Sequence, residues 1–191
     1  MKALEEKILR EGRVLPGNIL NVGSFMNQQL DSDFIMEMGR EIARLFADEK
    51  PDKILTVEAS GIALALAAGA ALHCPVVFAK KHRSGNVSGE VYTARVHSYT
   101  HGNDNDIVVA KEYLGPGQRV LAVDDFLASG EALRGLFELI RQADAVPVGA
   151  ATAIEKGFQS GGDGLRAAGY RVESLAILDS MEEGKLLFRP Q

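Results

Sequence analysis

The stretch VLAVDDFLASGEA, Val120 to Ala132, decides the fold class of this chain. Val120 to Val123 form an apolar run without polar alternation, which is typical of a central parallel strand covered on both faces. Two adjacent carboxylates, Asp124 and Asp125, come next, and a turn of small residues then opens a helical pattern. The stretch therefore predicts a buried strand, a polar loop and a helix in direct succession.

Similar apolar runs recur along the chain, and helical patterns lie between several of them. The other runs are Ile54 to Val57, Val76 to Ala79, Ile107 to Ala110, Val146 to Ile154 and Val172 to Ile177. Helical spacing marks Leu4 to Ile8, Phe34 to Phe46, Ile62 to Leu72 and Ala132 to Gln142. This alternation predicts an α/β fold with an open, mostly parallel sheet flanked by helices. Ligands of such sheets bind beyond the carboxyl ends of the strands.

The segment after Val123 carries groups that suit a phosphorylated sugar. Ser129 and Gly130 bring free backbone N–H groups to the positive end of a helix dipole, which favours a phosphate. Asp124 and Asp125 would repel that phosphate, so we expect them to bind sugar hydroxyls or a cation. Together these groups predict a site for a phosphorylated ribose.

This stretch resembles the phosphoribosyl-pyrophosphate (PRPP) signature of the type I phosphoribosyltransferases. The upstream LGPGQRVLAVDD, Leu114 to Asp125, strengthens the likeness, and the whole chain is similar to the xanthine branch of that family. Ser129 replaces the first Thr of the signature and Ala132 the last. Ala128 stands where the hypoxanthine-guanine branch usually carries an Asp proposed as the base. The resemblance implies one domain, 1–191, with N-terminal hood elements in 1–50, and an α/β core and C-terminal hood in 51–191.

The resemblance also assigns contacts with PRPP. The Ala128 to Ala132 turn, made of Ala128, Ser129, Gly130, Glu131 and Ala132, would hold the 5′-phosphate. Glu58, Ala59, Ser60 and Gly61 would meet the pyrophosphate, although an ordinary turn with Ser60 as helix N-cap explains these residues equally well. Lys80, Lys81 and Arg83 follow a strand and are expected to contact the pyrophosphate, although such a cluster is also typical of a solvated turn. Residues 84–106 are interpreted as a flexible loop with a short hairpin arm.

The base is expected near Lys156 and Phe158, which leave another strand end. Phe158 offers a stacking face and Lys156 a donor for an exocyclic oxygen. A surface lysine and a phenylalanine at the edge of the core are the alternative interpretations. In the xanthine branch the matching lysine contacts the base, and the resemblance adds Leu20 and Asn27 from the hood.

The implied reaction transfers the phosphoribosyl group of PRPP to xanthine, giving XMP and pyrophosphate. Asp124 and Asp125 would act at the ribose, and Mg²⁺ would arrive with PRPP rather than in a metal site of the protein. Two alternatives are the same reaction on guanine or hypoxanthine, and a non-catalytic PRPP-sensing regulator. Fold analogy favours a homodimer.

Composition narrows the class of protein further. The chain has 191 residues and is 46% hydrophobic, enough for one good core. Its net charge of −5 argues against nucleic-acid binding by broad phosphate neutralisation. The single cysteine, Cys74, permits no internal disulfide. We find neither a signal peptide nor a membrane segment in the sequence, so a cytoplasmic protein is expected.

Overall fold

The structure, a computed structural model, describes residues 1–81, 89–98, 103–181 and 185–190. Its helices are α1 (Lys2–Glu11), α2 (Ser32–Leu45), α3 (Gly61–Leu72), α4 (Glu131–Gln142) and α5 (Gly161–Ala167). Its strands are β1 (Arg13–Leu15), β2 (Ile19–Asn21), β3 (Lys53–Val57), β4 (Val76–Ala79), β5 (Val91–Ser98), β6 (Asn103–Ala110), β7 (Arg119–Leu127), β8 (Val146–Lys156), β9 (Val172–Ser180) and β10 (Leu187–Phe188).

A six-stranded sheet with the order β10-β9-β8-β7-β3-β4 organises the fold. All neighbouring strands in it are parallel except β10, which pairs antiparallel with β9 at one edge. The predicted open, mostly parallel sheet is thereby confirmed, and the central position of β7 agrees with its continuous apolar run.

Alternate residues of β7 enter two hydrophobic clusters on opposite faces of the sheet. Leu121 and Val123 join the cluster that receives α1, α2 and α3. Val120 and Ala122 join the cluster that receives α4. Because both faces of β7 are covered, its polar residues can only emerge at the end of the strand, which is where Asp124 and Asp125 lie.

One strand that was predicted for the central sheet lies in a separate hairpin. The run Ile107 to Ala110 lies in β6, which pairs antiparallel with β5 rather than entering the central sheet. This hairpin packs against α4 so closely that a Cβ on Gly135 would lie 2.5 Å from Val96 Cγ2. The prediction was wrong because β5 precedes the run and pairs with it, and an apolar run does not identify its pairing partner.

The hairpin matches the arm expected in the loop 84–106. The remainder of that expected loop, in 84–88 and 99–102, lies outside the described residues, as does Arg83. Among the helices of the described ranges, we find none with the length and hydrophobicity needed to cross a membrane.

The N-terminal segment folds over the carboxyl ends of the strands. β1 and β2 form an antiparallel hairpin, followed by a π-helical turn over Gly23–Asn27. Asp31 caps α2 by accepting a hydrogen bond from Phe34 N, and it also accepts one from Lys7 Nζ at 2.8 Å. The Lys7 ammonium lies over the rings of Phe25 and Phe34 as well. These contacts fix the turn that carries Asn27.

Candidate active site

A cleft of about 770 Å³ opens beyond the carboxyl ends of β3, β7 and β8. Its described walls come from the β1–β2 turn, the loop after β3, the β5–β6 hairpin, the segment from β7 into α4, and the end of β8. The main polar residues in these walls are Asn18, Glu58, Ser60, Lys81, Asn105, Asp124, Asp125, Ser129, Glu131, Lys156 and Gln159. Its place at the strand ends is the expected one for a ligand site in an open α/β sheet.

The two adjacent carboxylates form the floor of this cleft. Asp124 and Asp125 are only 5% and 6% exposed. Burial raises the pKa of Asp124 well above its usual range, and the negative charge of Asp125 raises this pKa further. The Asp125 backbone N–H donates to Asp124 Oδ1 at 3.0 Å. Burying two adjacent acids in their charged form therefore costs free energy, and such perturbed groups are typical of functional positions.

The Ala128 to Ala132 turn lies beside the acids at the start of α4. Gly130 takes the N-cap position with φ 86°, a conformation that favours glycine, and without a side chain it cannot cap the helix. Gly161 approaches the turn so closely that a Cβ there would lie 2.1 Å from Ala128 O. The first N–H groups of α4 thus receive no hydrogen bond from the N-cap residue, unlike those of α2, and they suit an anion.

The loop Glu58 to Gly61 forms a second turn of this kind on the adjacent strand. Ser60 takes the N-cap position of α3, but its side chain makes no capping hydrogen bond. Glu58 and Ala59 are joined by a cis peptide bond, and Glu58 Oε1 accepts from Lys81 N at 2.7 Å. This bond holds the start of the basic segment against the turn.

The two lysines of that segment differ in their placement. Lys81 is exposed and lines the cleft. Lys80 bridges to the hairpin, since its backbone N–H and C=O both bond to Val108. The structure therefore brings Lys81 to the same cleft as the acids, and it uses the Lys80 backbone to attach the hairpin.

Lys156 and Phe126 lie together at another wall of the cleft. Lys156 Nζ donates to Asn18 O at 3.0 Å and lies 5.9 Å from the centre of the Phe126 ring. Burial lowers the pKa of Lys156. The described cleft lining includes Phe126 and Gln159 but not Phe158, which is 37% exposed. Phe126 is thus an aromatic wall residue that the sequence analysis missed, although it directly follows the two acids.

Asn27 and Leu20, the two base contacts predicted from the N-terminal hood, occupy different positions: one bonds to an acid of the cleft floor and the other lies in the core. Asn27 Nδ2 donates to Asp125 Oδ2 at 3.0 Å, which links the hood to the acids across the cleft floor. Leu20 is only 5% exposed and belongs to the core cluster on the hood side of the sheet. In this structure Asn27 contacts the acids directly, whereas Leu20 anchors the β1–β2 hairpin in the hydrophobic core.

Comparison with known proteins agrees with this geometry. The family model described as "Phosphoribosyl transferase domain" matches residues 27–163, a range that includes both turns and both acids. The chain belongs to this family. The predicted resemblance to the phosphoribosyltransferases is thus confirmed.

Relatives of this phosphoribosyltransferase match it over almost its whole length. A xanthine phosphoribosyltransferase of Moorella thermoacetica is 52% identical over 98% of this chain and 96% of its own length. One from Alkaliphilus metalliredigens is 51% identical over 99% of this chain and 94% of its own. Xanthine phosphoribosyltransferase 1 of Clostridium perfringens is 50% identical over 99% of this chain and 100% of its own.

Solved structures show that the fold is shared more widely than the sequence. An adenine phosphoribosyltransferase from Thermoanaerobacter pseudethanolicus aligns with a TM-score of 0.73 at 22% identity, covering 91% of this chain and 98% of that one. Another from Rhodothermus marinus also gives 0.73, at 19% identity, with coverage of 93% and 100%. At this identity the likeness shows the fold of the phosphoribosyltransferase and nothing about its base.

The absence of a side chain at Gly61 is a steric requirement of the site. A Cβ there would lie 2.4 Å from Thr56 Oγ1 and 3.0 Å from Asp124 Oδ1. We expect Gly61→Ala to lower the free energy of unfolding by about 1–3 kcal/mol through overpacking, reduced by at most about 1 kcal/mol of helix preference. It should also lower kcat/KM, because the shift displaces Asp124.

The matched control is Gly115→Ala, whose Cβ would meet no heavy atom within 4 Å. Denaturant unfolding and steady-state assays of both variants make the comparison. Equal stability and activity in the two variants would contradict the steric requirement.

Proposed function

We propose that this phosphoribosyltransferase transfers the phosphoribosyl group of PRPP to xanthine, giving XMP and pyrophosphate in purine salvage. The observation that carries the proposal is one cleft with paired buried acids, two uncapped helix starts and a lysine beside an aromatic ring. The choice of xanthine is supported by the relatives, which carry that base in their names and match the chain at about half identity from end to end.

The acids act on the ribose in this proposal. Asp124 and Asp125 accept hydrogen bonds from the ribose hydroxyls, and their negative charge stabilises the oxocarbenium-like centre that develops at C1′ as the bond to pyrophosphate breaks. Their burial supports this role, because charge stabilisation is stronger where water is excluded.

The two turns bind the phosphates at either end of PRPP. N–H groups of Ala128, Ser129, Gly130, Glu131 and Ala132 hold the 5′-phosphate at the start of α4. Glu58, Ala59, Ser60 and Gly61 contact the pyrophosphate at the start of α3, and Lys80, Lys81 and Arg83 neutralise its charge. Support comes from the missing side-chain caps of both helices and from the place of Lys81 in the cleft wall.

Mg²⁺ enters this proposal with the substrate. Within the described ranges, we find no group of three or more His, Cys, Asp or Glu side chains that could hold a metal ion. We propose that the ion takes most of its ligands from pyrophosphate oxygens and water, as Mg²⁺ commonly does. When bound, it neutralises charge on the leaving group.

The base lies against Phe126 and Lys156. Lys156 donates to an oxo group, and Asn27 exchanges its bond with Asp125 for the base edge. Leu20 supports this part of the hood from the core, and Phe158 lies next to Gln159 of the cleft wall, outside the described lining. A lysine donor disfavours adenine, whose exocyclic amine would face a cation. Ala128 has no proton-accepting group, so we propose that xanthine, which is acidic for a purine, enters already ionised.

Steady-state kinetics with xanthine, guanine, hypoxanthine and adenine test the function directly. We expect XMP formation with the highest kcat/KM for xanthine. A preference for guanine or hypoxanthine would change the proposed base substrate but leave the proposed phosphoribosyl transfer intact. PRPP binding without turnover of any of the four purines would contradict the proposed enzyme.

We propose further that the enzyme is a cytoplasmic, single-domain homodimer without nucleic-acid or membrane partners. The family fold and the prevalence of closed two-fold dimers support the assembly. Sedimentation at micromolar protein should give twice the 20.5 kDa chain mass. A fully active monomer under those conditions would exclude the dimer.

A further inference from the structure

Thr56 carries a hydroxyl that the fold leaves without a partner. The residue is completely buried in β3. Within the described ranges, its Oγ1 is the one buried side-chain nitrogen or oxygen that makes no hydrogen bond. An unmade bond of this kind costs about 1–3 kcal/mol. Such a cost at a ligand cleft calls for a functional explanation.

The position of this hydroxyl connects it to the acids. The paired residues of β3 and β7 end at Leu55 and Ala122, so Thr56 is the first residue of β3 beyond that pairing, next to the cleft. Thr56 Oγ1 and Asp124 Oδ1 lie 2.4 and 3.0 Å from the single point that a Cβ on Gly61 would occupy. Only the missing side chain of Gly61 allows the two oxygens to share this space.

We infer that Thr56 is a positioning residue for Asp124. When PRPP occupies the cleft, the Thr56 hydroxyl donates a hydrogen bond to Asp124 Oδ1 and holds the other carboxylate oxygen toward the ribose. The inference rests on the proposed function only in that PRPP is the donor substrate, and it is independent of which base is accepted.

The burial of Asp124 explains why such a donor would matter. A hydrogen bond to the charged form favours ionisation and opposes the effects of burial and of the Asp125 charge. Asp124 Oδ1 already accepts from the Asp125 N–H, and Thr56 would supply a second donor to the same oxygen. The free protein would keep the hydroxyl unpaired so that it is available in the complex.

The test replaces the hydroxyl by a methyl group. Thr56→Val should lower kcat at saturating PRPP by at least about tenfold, the effect of losing one hydrogen bond to a charged partner. The KM for the base should stay within about twofold, because the proposed bond acts on the carboxylate that faces the ribose and not on the base. Thr56→Ser, which keeps the hydroxyl, should restore kcat. The melting temperature of Thr56→Val should not fall, since no hydrogen bond of the free protein is lost.

Thr152→Val provides the matched control. Thr152 is equally buried, but its hydroxyl bonds to Ser174 Oγ at 3.0 Å, so its removal should lower the melting temperature and leave kcat unchanged. A loss of stability in Thr56→Val like that of Thr152→Val would show a structural hydroxyl and overturn the inference. So would wild-type kcat in Thr56→Val, or failure of Thr56→Ser to restore it.

Two further measurements distinguish a failure of the Thr56 inference from a folding defect and from a different base preference. If Thr56→Val does not fold, Thr56→Ala carries the same comparison with Thr56→Ser. Pyrophosphate release is measured with the best purine of the four, so a different base preference changes the proposed function without affecting the Thr56 result.

Discussion

Replacing both acids, Asp124→Asn with Asp125→Asn, should lower kcat/KM by about 100-fold or more, because the transition state loses the charge that stabilises C1′. Asn keeps the size and much of the hydrogen-bonding capacity of Asp, so the variant should fold. Pyrophosphate release from PRPP and xanthine measures the effect. Near-normal turnover by the folded double variant would contradict the assignment of the acids to the ribose.

The double variant should lose activity without losing stability. The pKa of folded Asp124 is raised above the usual 3.8, so folded protein retains a proton that unfolded chain releases. This group therefore lowers stability as pH rises from the unfolded pKa toward the folded one. At pH 7 the double variant should be at least as stable as the wild type.

Two surface acids provide the matched control for the double variant. Asp33 and Asp144 are exposed, and changing both to Asn removes the same number of carboxyl groups away from the cleft. Wild-type kcat/KM is expected. Thermal unfolding of both double variants across pH separates the effect of the buried pair from that of net charge. A wild-type pH dependence of stability in the cleft variant would contradict the burial argument.

The sheet was predictable because its central strands are covered on both faces. Val120 to Val123 and Val146 to Ile154 show this directly as apolar runs, and both became strands of the six-stranded sheet. The run Ile107 to Ala110 looks the same in sequence but lies in a hairpin, because pairing depends on contacts distant along the chain. Helix α5 escaped prediction because its sequence GGDGLRA is rich in glycine, which disfavours helices.

The site was predictable where one segment carries several groups. Asp124, Asp125 and the turn after them are neighbours in sequence, so strand, acids and phosphate turn could be interpreted together. The bond from Asn27 to Asp125 joins residues 98 positions apart, and only the folded chain reveals it. Thr56 gave no signal, since a threonine in a strand is ordinary and its missing partner is visible only in three dimensions.

Lys156→Ala is expected to lower kcat/KM for xanthine by about one to two decades, the range for losing a hydrogen bond from a charged donor. Lys156 is partly buried at the cleft wall and anchored by Asn18 O, so its ammonium is held in place before the base arrives. PRPP binding should hardly change, because the proposed phosphate contacts lie in the two turns and not at Lys156. Steady-state kinetics and PRPP titration make the measurement.

Lys156→Met separates the charge of the side chain from its packing. Met keeps a long apolar stem near Phe126 but cannot donate a hydrogen bond. If the ammonium recognises the base, Met and Ala should be about equally impaired. Recovery of wild-type kcat/KM in Lys156→Met would mean that the stem only covers the Phe126 ring.

The ratio of kcat/KM for xanthine to kcat/KM for hypoxanthine shows which oxo group Lys156 recognises. Hypoxanthine lacks the 2-oxo group, so a donor to that group contributes to xanthine use alone, whereas a donor to the 6-oxo group serves both bases. Lys156→Ala should therefore reduce the ratio if the ammonium meets the 2-oxo group. A ratio that stays at the wild-type value, with both bases slowed, would move the lysine to the 6-oxo group. Asn27, whose amide must leave Asp125 to reach the base, would then be the residue that distinguishes xanthine.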